Sequence, residues 1–124
     1  MTPFRPATRR ASATPFNQMS DVYDKGRLRI DFAAYEVWLD GRLVHLSLRD
    51  FELLRFFVHS PNRVYDRSLI LKLVWGNDTH VTPRTVDVHV RRLRVRIERD
   101  AANPELIVTV RGVGYRFNER VLAA

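Results

Sequence analysis

Arginines that recur along residues 82–99 are the groups in this chain best suited to chemistry, and that chemistry is the binding of polyanions. The segment holds six arginines against two acidic residues. Thr82 suits the N-cap of a helix, and Pro83 suits the first helical position, where a missing N–H costs nothing. Apolar residues at spacings of four, three and four form one narrow helical stripe: Val86, Val90, Leu93 and Ile97. The segment therefore predicts a cationic helix with one apolar side.

The opposite face of this helix carries the side chains that a ligand would meet. At about 100° per residue they are Thr85, Val88, His89, Arg92, Arg96 and Arg99. A charged outer face is most often simply solvated. Val88 argues against that interpretation, because a solvated helix gains nothing from an outward β-branched residue, whereas a thymine methyl group would give it a partner. The pattern favours a helix that enters the major groove of DNA.

Acids on the flank of the helix decide which arginines remain free. Spacing of four residues predicts two ion pairs, Asp87–Arg91 and Arg94–Glu98, each worth a few tenths of a kcal/mol. The outer-face arginines have no acid one turn away, and these are Arg92, Arg96 and Arg99. We expect this second group to be the one that contacts a ligand.

Composition narrows the class of protein. The chain has 124 residues, enough for one domain, with a net charge of +7 and a pI near 10.7. Such a charge favours DNA, RNA or an anionic membrane surface as partner. No apolar run approaches the roughly 18 residues that span a bilayer, and no secretory signal is visible. The absence of cysteine excludes disulfides and fits a cytoplasmic protein.

Signals for catalysis, metal binding or a cofactor are weak. The four histidines are scattered without the spacing of metal ligands. The Gly112-Val113-Gly114 segment joins strand to strand, whereas a phosphate loop needs a helix N-terminus after it. No serine lies in a nucleophile-elbow pattern. We therefore expect that the protein has no enzymatic activity, no metal site and no cofactor.

The elements that position the basic helix follow from periodicity and turn chemistry. Residues 1–26 lack hydrophobic periodicity, which predicts a disordered tail or linker. Alternation predicts strands at 28–32, 35–39 and 42–46, the last two joined by an Asp40-Gly41 hairpin turn. Ser47 caps a helix over 48–58, with Asp50 in its first turn, where it complements the helix dipole.

The second half of the chain predicts a helix-turn-helix followed by a hairpin. Asp66 caps a short helix over 67–74, and the loop 75–81 leads to the basic helix. The β-branched run 107–110 predicts a strand, residues 111–114 a turn, and 115–117 the returning strand. A basic hairpin beside a basic helix is the wing of a winged helix. Residues 119–124 are expected to be a frayed C-terminus.

Two long motifs resemble the effector domain of OmpR/PhoB-type response regulators, which are bacterial winged-helix transcription factors. The first, RTVDVHVRRLR, runs from Arg84 to Arg94, and the second, TVRGVGYRF, runs from Thr109 to Phe117. Shorter matches support them: Leu46-Ser47, Asp50-Phe51, Leu53-Leu54 and Val74-Trp75-Gly76. The resemblance covers about residues 27–118, and Asp50 stands where the family more often has Glu. It implies an α+β winged helix-turn-helix with an N-terminal antiparallel sheet, three helices and a C-terminal β-hairpin wing.

The resemblance also implies roles for individual residues. Base edges in the major groove would be read by Thr85, Val88 and Arg92. Phosphates would be contacted by Arg84, His89, Arg94 and Arg96. In the wing, Arg111 corresponds to the family's minor-groove arginine, while Thr109, Tyr115 and the loop residue Trp75 correspond to backbone contacts. The alternative roles are packing for Trp75 and Tyr115, and plain solvation for His89.

Partners follow from the same resemblance. Such domains bind double-stranded DNA at direct repeats as tandem, head-to-tail dimers. The loop 75–81 is similar to the one that engages RNA polymerase, often its sigma subunit, and the contact residues would be Asn77, Asp78, Thr79 and Val81. Family members also carry an N-terminal receiver domain with a phospho-accepting aspartate, which residues 1–26 cannot hold. We expect either an excised effector domain or a stand-alone version of it.

Two other functions compete with sequence-specific DNA binding in a two-component (phosphorelay) regulator. One is an architectural or RNA-binding protein that uses charge without regard to sequence, which would need neither Thr85 nor Val88 on the outer face. The other is a protein-interaction module that acts through the Trp75 loop. The intact DNA-contact positions argue against the latter.

Overall fold

A computed structural model describes residues 21–78 and 80–123 of the chain. Four short strands form an antiparallel sheet in chain order, and these are β1 (Val22–Lys25), β2 (Leu28–Asp31), β3 (Glu36–Leu39) and β4 (Arg42–Val44). Alternation buries Leu28, Ile30 and Val37, so one face of this sheet covers the core. Asp40 and Gly41 both have positive φ, at 50° and 79°. These are the angles of the predicted tight turn between β3 and β4.

Three helical segments follow in the described part of the chain. They are α1 (Leu48–Val58), α2 (Arg67–Ile70, continuing as a π-helical turn over Leu71–Trp75) and α3 (Pro83–Ile97). Both predicted caps form, since the Asp50 N–H donates to Ser47 Oγ at 3.2 Å and the Leu69 N–H donates to Asp66 Oδ1 at 2.8 Å. The π-helical turn ends at Gly76, whose φ is +67°.

A second, three-stranded sheet closes the fold. Its order is β5–β7–β6, with β5 at Val64–Tyr65, β6 at Ile107–Val110 and β7 at Gly114–Phe117. The two-residue strand β5 is too short to show a period and was not predicted. Its approach to β7 requires glycine, because a Cβ at Gly114 would lie 2.0 Å from the Tyr65 carbonyl oxygen. The wing is therefore anchored to the segment that precedes α2.

Two predicted boundaries need correction. The tail predicted for residues 1–26 ends earlier, because Val22–Lys25 pairs with β2 along its whole length and the Tyr23 hydroxyl donates to Glu119 at 2.7 Å. The end predicted to fray at 119–124 forms a 3₁₀ turn over Glu119–Leu122, and Leu122 is buried. Both segments are short, so their stability comes from contact with each other rather than from local pattern. The remainder of the predicted tail, residues 1–20, lies outside the described residues.

Candidate nucleic-acid interface

Helix α3 is fixed to the core by the apolar stripe that the sequence predicted. Val86, Val90, Leu93 and Ile97 are each at most 1% exposed. At its start, Thr82 is the N-cap residue and Pro83 the first helical residue, as predicted, and the Thr82 N–H donates to Thr85 Oγ1 at 3.2 Å. This bond occupies an acceptor site of the Thr85 hydroxyl and leaves its O–H available to donate.

The outer face of α3 is exposed and cationic. Val88 is 49% exposed, and the Arg92 side chain is 52% exposed. Four further arginines of the helix segment are exposed and form no hydrogen bond or ion pair with another described residue: Arg84, Arg91, Arg96 and Arg99. An accessible valine among accessible arginines is the surface that the sequence predicted for groove contact.

A buried carboxylate lies directly beneath this face. Asp50 is the third residue of α1 and is 3% exposed. Its Oδ1 is 2.6 Å from His89 Nδ1, and its Oδ2 is 3.4 Å from an Nη of Arg92. Because a carboxylate only accepts, His89 Nδ1 must carry the proton in this bond. The His89 side chain is only 16% exposed, so the solvated role considered for it is wrong.

Trp75, at the end of the π-helical turn, packs against the group formed by Asp50, His89 and Arg92. Its indole is 8% exposed and meets the His89 ring edge-on, with 5.1 Å between the ring centroids. The Arg49 guanidinium lies 5.3 Å from the indole centroid and donates to the Val74 carbonyl at 2.7 Å. Packing therefore accounts for Trp75 in the free protein, and its contact with the phosphate backbone stays a prediction.

The flank of α3 makes different ion pairs from those predicted. Asp87 does not pair with Arg91 but with Arg67 of α2, at 2.7 Å, and its Oδ1 accepts the Tyr115 hydroxyl at 2.7 Å. Helical spacing shows only partners on the same helix, whereas α2 and the wing bring competing donors to this acid. Asp87 thus joins α2, α3 and the wing.

The second predicted pair, Arg94–Glu98, is also replaced by contacts with the wing. Arg94 donates to the Ile107 carbonyl at 3.0 and 2.7 Å and to Thr109 Oγ1 at 2.8 Å. The Glu98 carboxylate accepts the backbone N–H groups of residues 105–107. Strand β6 and the residues just before it are consequently bound to the C-terminal end of α3, through Arg94 in its last turn and Glu98 at its C-cap. Phosphate contact by Arg94 stays a prediction.

Burial at this junction shifts two pKa values. Desolvation raises the pKa of Tyr115 to about 12, and the hydrogen bond to Asp87 contributes to this rise. Desolvation lowers the pKa of the Arg94 guanidinium, and the nearby Tyr115 and Glu98 oppose that shift. Tyr115 is 8% exposed, so it packs inside the wing base. Its predicted contact with the DNA backbone is untested.

The tip of the wing points its basic group into solvent. Arg111 is exposed and pairs with no other described residue. Gly112 has φ at +79°, and the Val113 N–H donates to the Val110 carbonyl at 2.9 Å, which closes the turn. Val113 is 55% exposed. Because α3 holds β6 through Arg94, this tip is held on the same rigid body as the outer face of α3.

The loop between α2 and α3 presents polar side chains. Asn77 and Asp78 are exposed, whereas Val81 packs against the core. Asp78 Oδ1 accepts the His80 N–H at 2.9 Å. The fourth predicted contact residue, Thr79, lies outside the described residues.

The sequence predicts the outward arginines of α3 but not the groups that hold this helix against its neighbours. Asp50 was interpreted only as a dipole partner, Arg67 had no role, and Asp87 was given the wrong partner. The local pattern does not single out Asp50, because Glu52 lies within the same apolar run and is only partly buried. Across residues 21–78 and 80–123, no group of three or more acidic or histidine side chains could hold a metal ion. Nor is any helix in those ranges long and apolar enough to cross a membrane.

Comparison with known proteins places this arrangement in a family. Residues 41–117 match the family described as "Transcriptional regulatory protein, C terminal". Over 102 residues the chain is 41% identical to the sensory transduction protein RegX3 of Mycobacterium tuberculosis and 38% identical to the phosphate regulon transcriptional regulatory protein PhoB of Escherichia coli. These alignments cover 82% of this chain but 45% and 44% of the relatives. The chain therefore spans about half the length of the relatives it matches.

Solved structures give the same result. The response regulator DrrB of Thermotoga maritima, an OmpR/PhoB homologue, superposes with a TM-score of 0.75 at 36% identity, over 83% of this chain and 46% of that one. The DNA-binding domain of RstA from Klebsiella pneumoniae, solved in complex with the RstA box, superposes with a TM-score of 0.71 at 34% identity, over 80% of this chain and 98% of that domain. The chain thus belongs to the OmpR/PhoB family of transcriptional regulatory proteins and contains its C-terminal winged-helix domain.

Proposed function

We propose that this domain binds double-stranded DNA with sequence specificity, with α3 in the major groove and the wing in the minor groove. The observation that carries the proposal is the outer face of α3. There an exposed valine and a partly exposed threonine lie among unpaired arginines, on a helix that is bound to a wing with an exposed arginine at its tip. Charge alone would suffice for non-specific binding, whereas Val88 and Thr85 are suited to base edges.

Relatives support the proposal. The RstA domain was solved with its RstA box, and the DNA-binding domain of the response regulator AdeR, 26% identical with a TM-score of 0.65, was solved with an intercistronic region. Both align over most of their length with the present domain. A shared fold alone would be weak support for a shared function, but here the outward arginines accompany the fold.

We assign roles to the outer-face residues by their setting. Thr85, Val88 and Arg92 would read base edges, because they lie along the outer face and Arg92 carries a planar fork that matches guanine. Arg84 and Arg96 would contact phosphates and fix the register. Arg111 would enter the minor groove. Packing or hydrogen bonds inside the fold engage His89, Arg94, Tyr115 and Trp75. Thr109 is exposed and accepts a hydrogen bond from Arg94. Any contact of these five residues with the DNA backbone would be secondary to their structural role.

The role of the whole protein is a further part of the proposal. RegX3 and PhoB are named for sensory transduction and transcriptional regulation, which supports a place for this domain in a two-component regulator that acts in the cytoplasm. We propose binding rather than catalysis as its activity, and tandem dimers on direct repeats as its DNA-bound form.

RNA polymerase is the protein partner that we propose for the loop between α2 and α3. The exposed Asn77 and Asp78 lie outside the basic face and are free to meet a second macromolecule. Replacing both with alanine should reduce transcription in vitro from a promoter that carries the selected site, while DNA affinity stays unchanged. A matching loss of DNA affinity would instead assign these residues to the DNA interface.

Selection from a random duplex library tests the proposed function. The enriched sequence is then measured against random DNA across a range of salt concentrations. We expect a direct repeat with about one helical turn between half-sites, bound at least about a thousandfold more tightly than random DNA at physiological salt. No enrichment, with affinity that falls steeply as salt rises, would overturn the proposal and favour charge-driven architectural binding.

A further inference from the structure

We propose that Asp50 is a specificity-determining positioning residue, which acts through Arg92 and does not touch DNA itself. The inference rests on the proposed function, because it concerns how one arginine of α3 is prepared to read a base pair. Its basis is the one carboxylate among the described residues that is buried, together with the two side chains of α3 that it contacts.

The carboxylate of Asp50 cannot turn freely. Its residue lies at the capped start of α1, where its N–H donates to Ser47 Oγ. Its Oδ1 is held by His89 at 2.6 Å, and the His89 ring is in turn packed against Trp75. With one oxygen fixed in this way, the other is directed at the Arg92 guanidinium. A carboxylate that is fixed inside the core thereby restricts the position of the exposed Arg92 side chain.

The ion pair with Asp50 restricts the Arg92 guanidinium but leaves most of its N–H donors available. The Oδ2–Nη distance of 3.4 Å is an ion pair, longer than a good charge-assisted hydrogen bond. A guanidinium has five donors in a fixed planar fork, so one edge can face Asp50 while another faces the groove. An arginine already restricted in the free protein loses less side-chain entropy when it binds a base.

The same ion pair lowers the non-specific affinity of this arginine. A nearby carboxylate partly cancels the charge that Arg92 offers to any phosphate. The unpaired Arg96, one turn further along the helix, keeps its full charge. Asp50 would therefore favour Arg92 at a base over Arg92 at a phosphate, which is a gain in specificity rather than in affinity.

Asp50→Asn is the variant that separates these effects. Asparagine has the same shape, and its amide oxygen can still accept from His89, but the amide nitrogen that then faces Arg92 carries no negative charge and offers no ion pair. Affinity is measured for the selected site, for that site with each base pair replaced in turn, and for random DNA. We expect discrimination to fall by about tenfold at one base pair only, the size of one bidentate contact, while affinity for random DNA is equal or higher.

Controls distinguish positioning from a structural defect. In an Arg92→Ala background, Asp50→Asn should change discrimination at that base pair by less than about twofold, because the side chain through which it acts is gone. Asp24→Asn removes the same charge from a carboxylate of β1 that pairs with Arg29 and not with α3, and it should leave the pattern across base pairs unchanged. Thermal unfolding of each variant identifies any loss of fold.

The outcomes separate this inference from the proposed function. If the unmodified domain enriches no site, the proposed function fails and the inference fails with it. If the domain enriches a site and folded Asp50→Asn discriminates at every base pair as before, the inference alone is overturned. A uniform loss of affinity for cognate and random DNA in the folded variant would also overturn it.

Discussion

Two carboxylates hold α3 in place, and they do so in opposite settings. Asp50 reaches up from α1, is 3% exposed, and has both of its partners on α3. Asp87 projects from α3 itself, its side chain is 37% exposed, and its partners Arg67 and Tyr115 lie on α2 and the wing. The first carboxylate contacts two side chains of the helix that we propose enters the major groove, whereas the second links that helix to α2 and the wing.

This difference shows how aspartates on two different helices can hold the same helix, α3, in two different ways. A buried acid must be fully paired, since an unpaired charge in the interior costs several kcal/mol. Its partners are therefore held tightly, and one of them can be a residue that faces DNA. An exposed acid loses little when one bond breaks, so it suits a junction that several elements share.

The largest effect should come from Asp50→Ala, which breaks the buried site. Without an acceptor the His89 N–H remains unsatisfied in a nearly closed environment, and the expected loss is about 1–3 kcal/mol of the free energy of unfolding. Asp87→Ala, the matched variant, should cost about 0.5–1.5 kcal/mol, because the Asp87 side chain is 37% exposed and water can take its place. Urea unfolding measures both. If Asp87→Ala lowered the free energy of unfolding as much as Asp50→Ala or more, the buried carboxylate would not be the more important of the two for stability.

An intermediate effect is expected from Tyr115→Phe, which removes a bond of the exposed carboxylate. At neutral pH it should cost about 0.5–1.5 kcal/mol. The folded pKa of about 12 exceeds the ordinary value of 10.0, so the proton is bound more tightly in the folded state. That stabilisation is complete below pH 10 and is lost as pH rises through 12. Between pH 10 and pH 12 the free energy of unfolding should therefore decline less steeply with pH in Tyr115→Phe than in the unmodified domain.

Tyr23 provides the control for this alkaline experiment. Burial and its bond to Glu119 also raise the pKa of Tyr23, so Tyr23→Phe should flatten the alkaline decline as well, independently of Asp87. In an Asp87→Ala background, Tyr115→Phe should still change the decline, because desolvation is the main cause of the raised pKa, but by less than in the unmodified domain. Equal changes in both backgrounds would mean that Asp87 does not hold the Tyr115 proton.

The smallest effect is expected from Arg67→Ala, at the exposed end of the Asp87 junction. The Arg67 and Asp87 side chains are 45% and 37% exposed, and ion pairs of that kind contribute at most about 1 kcal/mol. Screening should reduce the difference between variant and unmodified domain to near zero at about 1 M salt. If the loss in free energy of unfolding persisted at high salt, Arg67 would stabilise the domain by something other than an exposed ion pair.

The sequence predicted the parts of this domain that depend on local pattern. The stripe of α3, the caps at Ser47 and Asp66 and the Asp40-Gly41 turn all follow from spacing and turn chemistry, and all are confirmed. Predictions failed where the partner is distant in the chain. The acids Asp87 and Glu98 had candidate partners one turn away, yet they bind groups of α2, the wing and the β6 backbone.

The candidate site divides in the same way. Exposure of Val88, Arg92 and Arg96 could be predicted, because a helix with one apolar stripe must present its other face to solvent. Burial of Trp75 and Asp50 could not, since nothing local shows that α1, the π-helical turn and α3 converge there. Strand β1 and the C-terminal 3₁₀ turn were missed for the same reason, as each depends on the other's position.

We propose that the arginines of α3 divide into a base reader and phosphate contacts, and a comparison of Arg92→Ala with Arg96→Ala separates these two roles. Binding to the selected site, to its single-base variants and to random DNA is measured at several salt concentrations. Arg92→Ala should cost about 1–3 kcal/mol on the selected site and abolish discrimination at one base pair. Arg96→Ala should weaken all sequences equally and reduce the salt slope by about one unit. Two variants with the same uniform loss across all sequences would contradict the account.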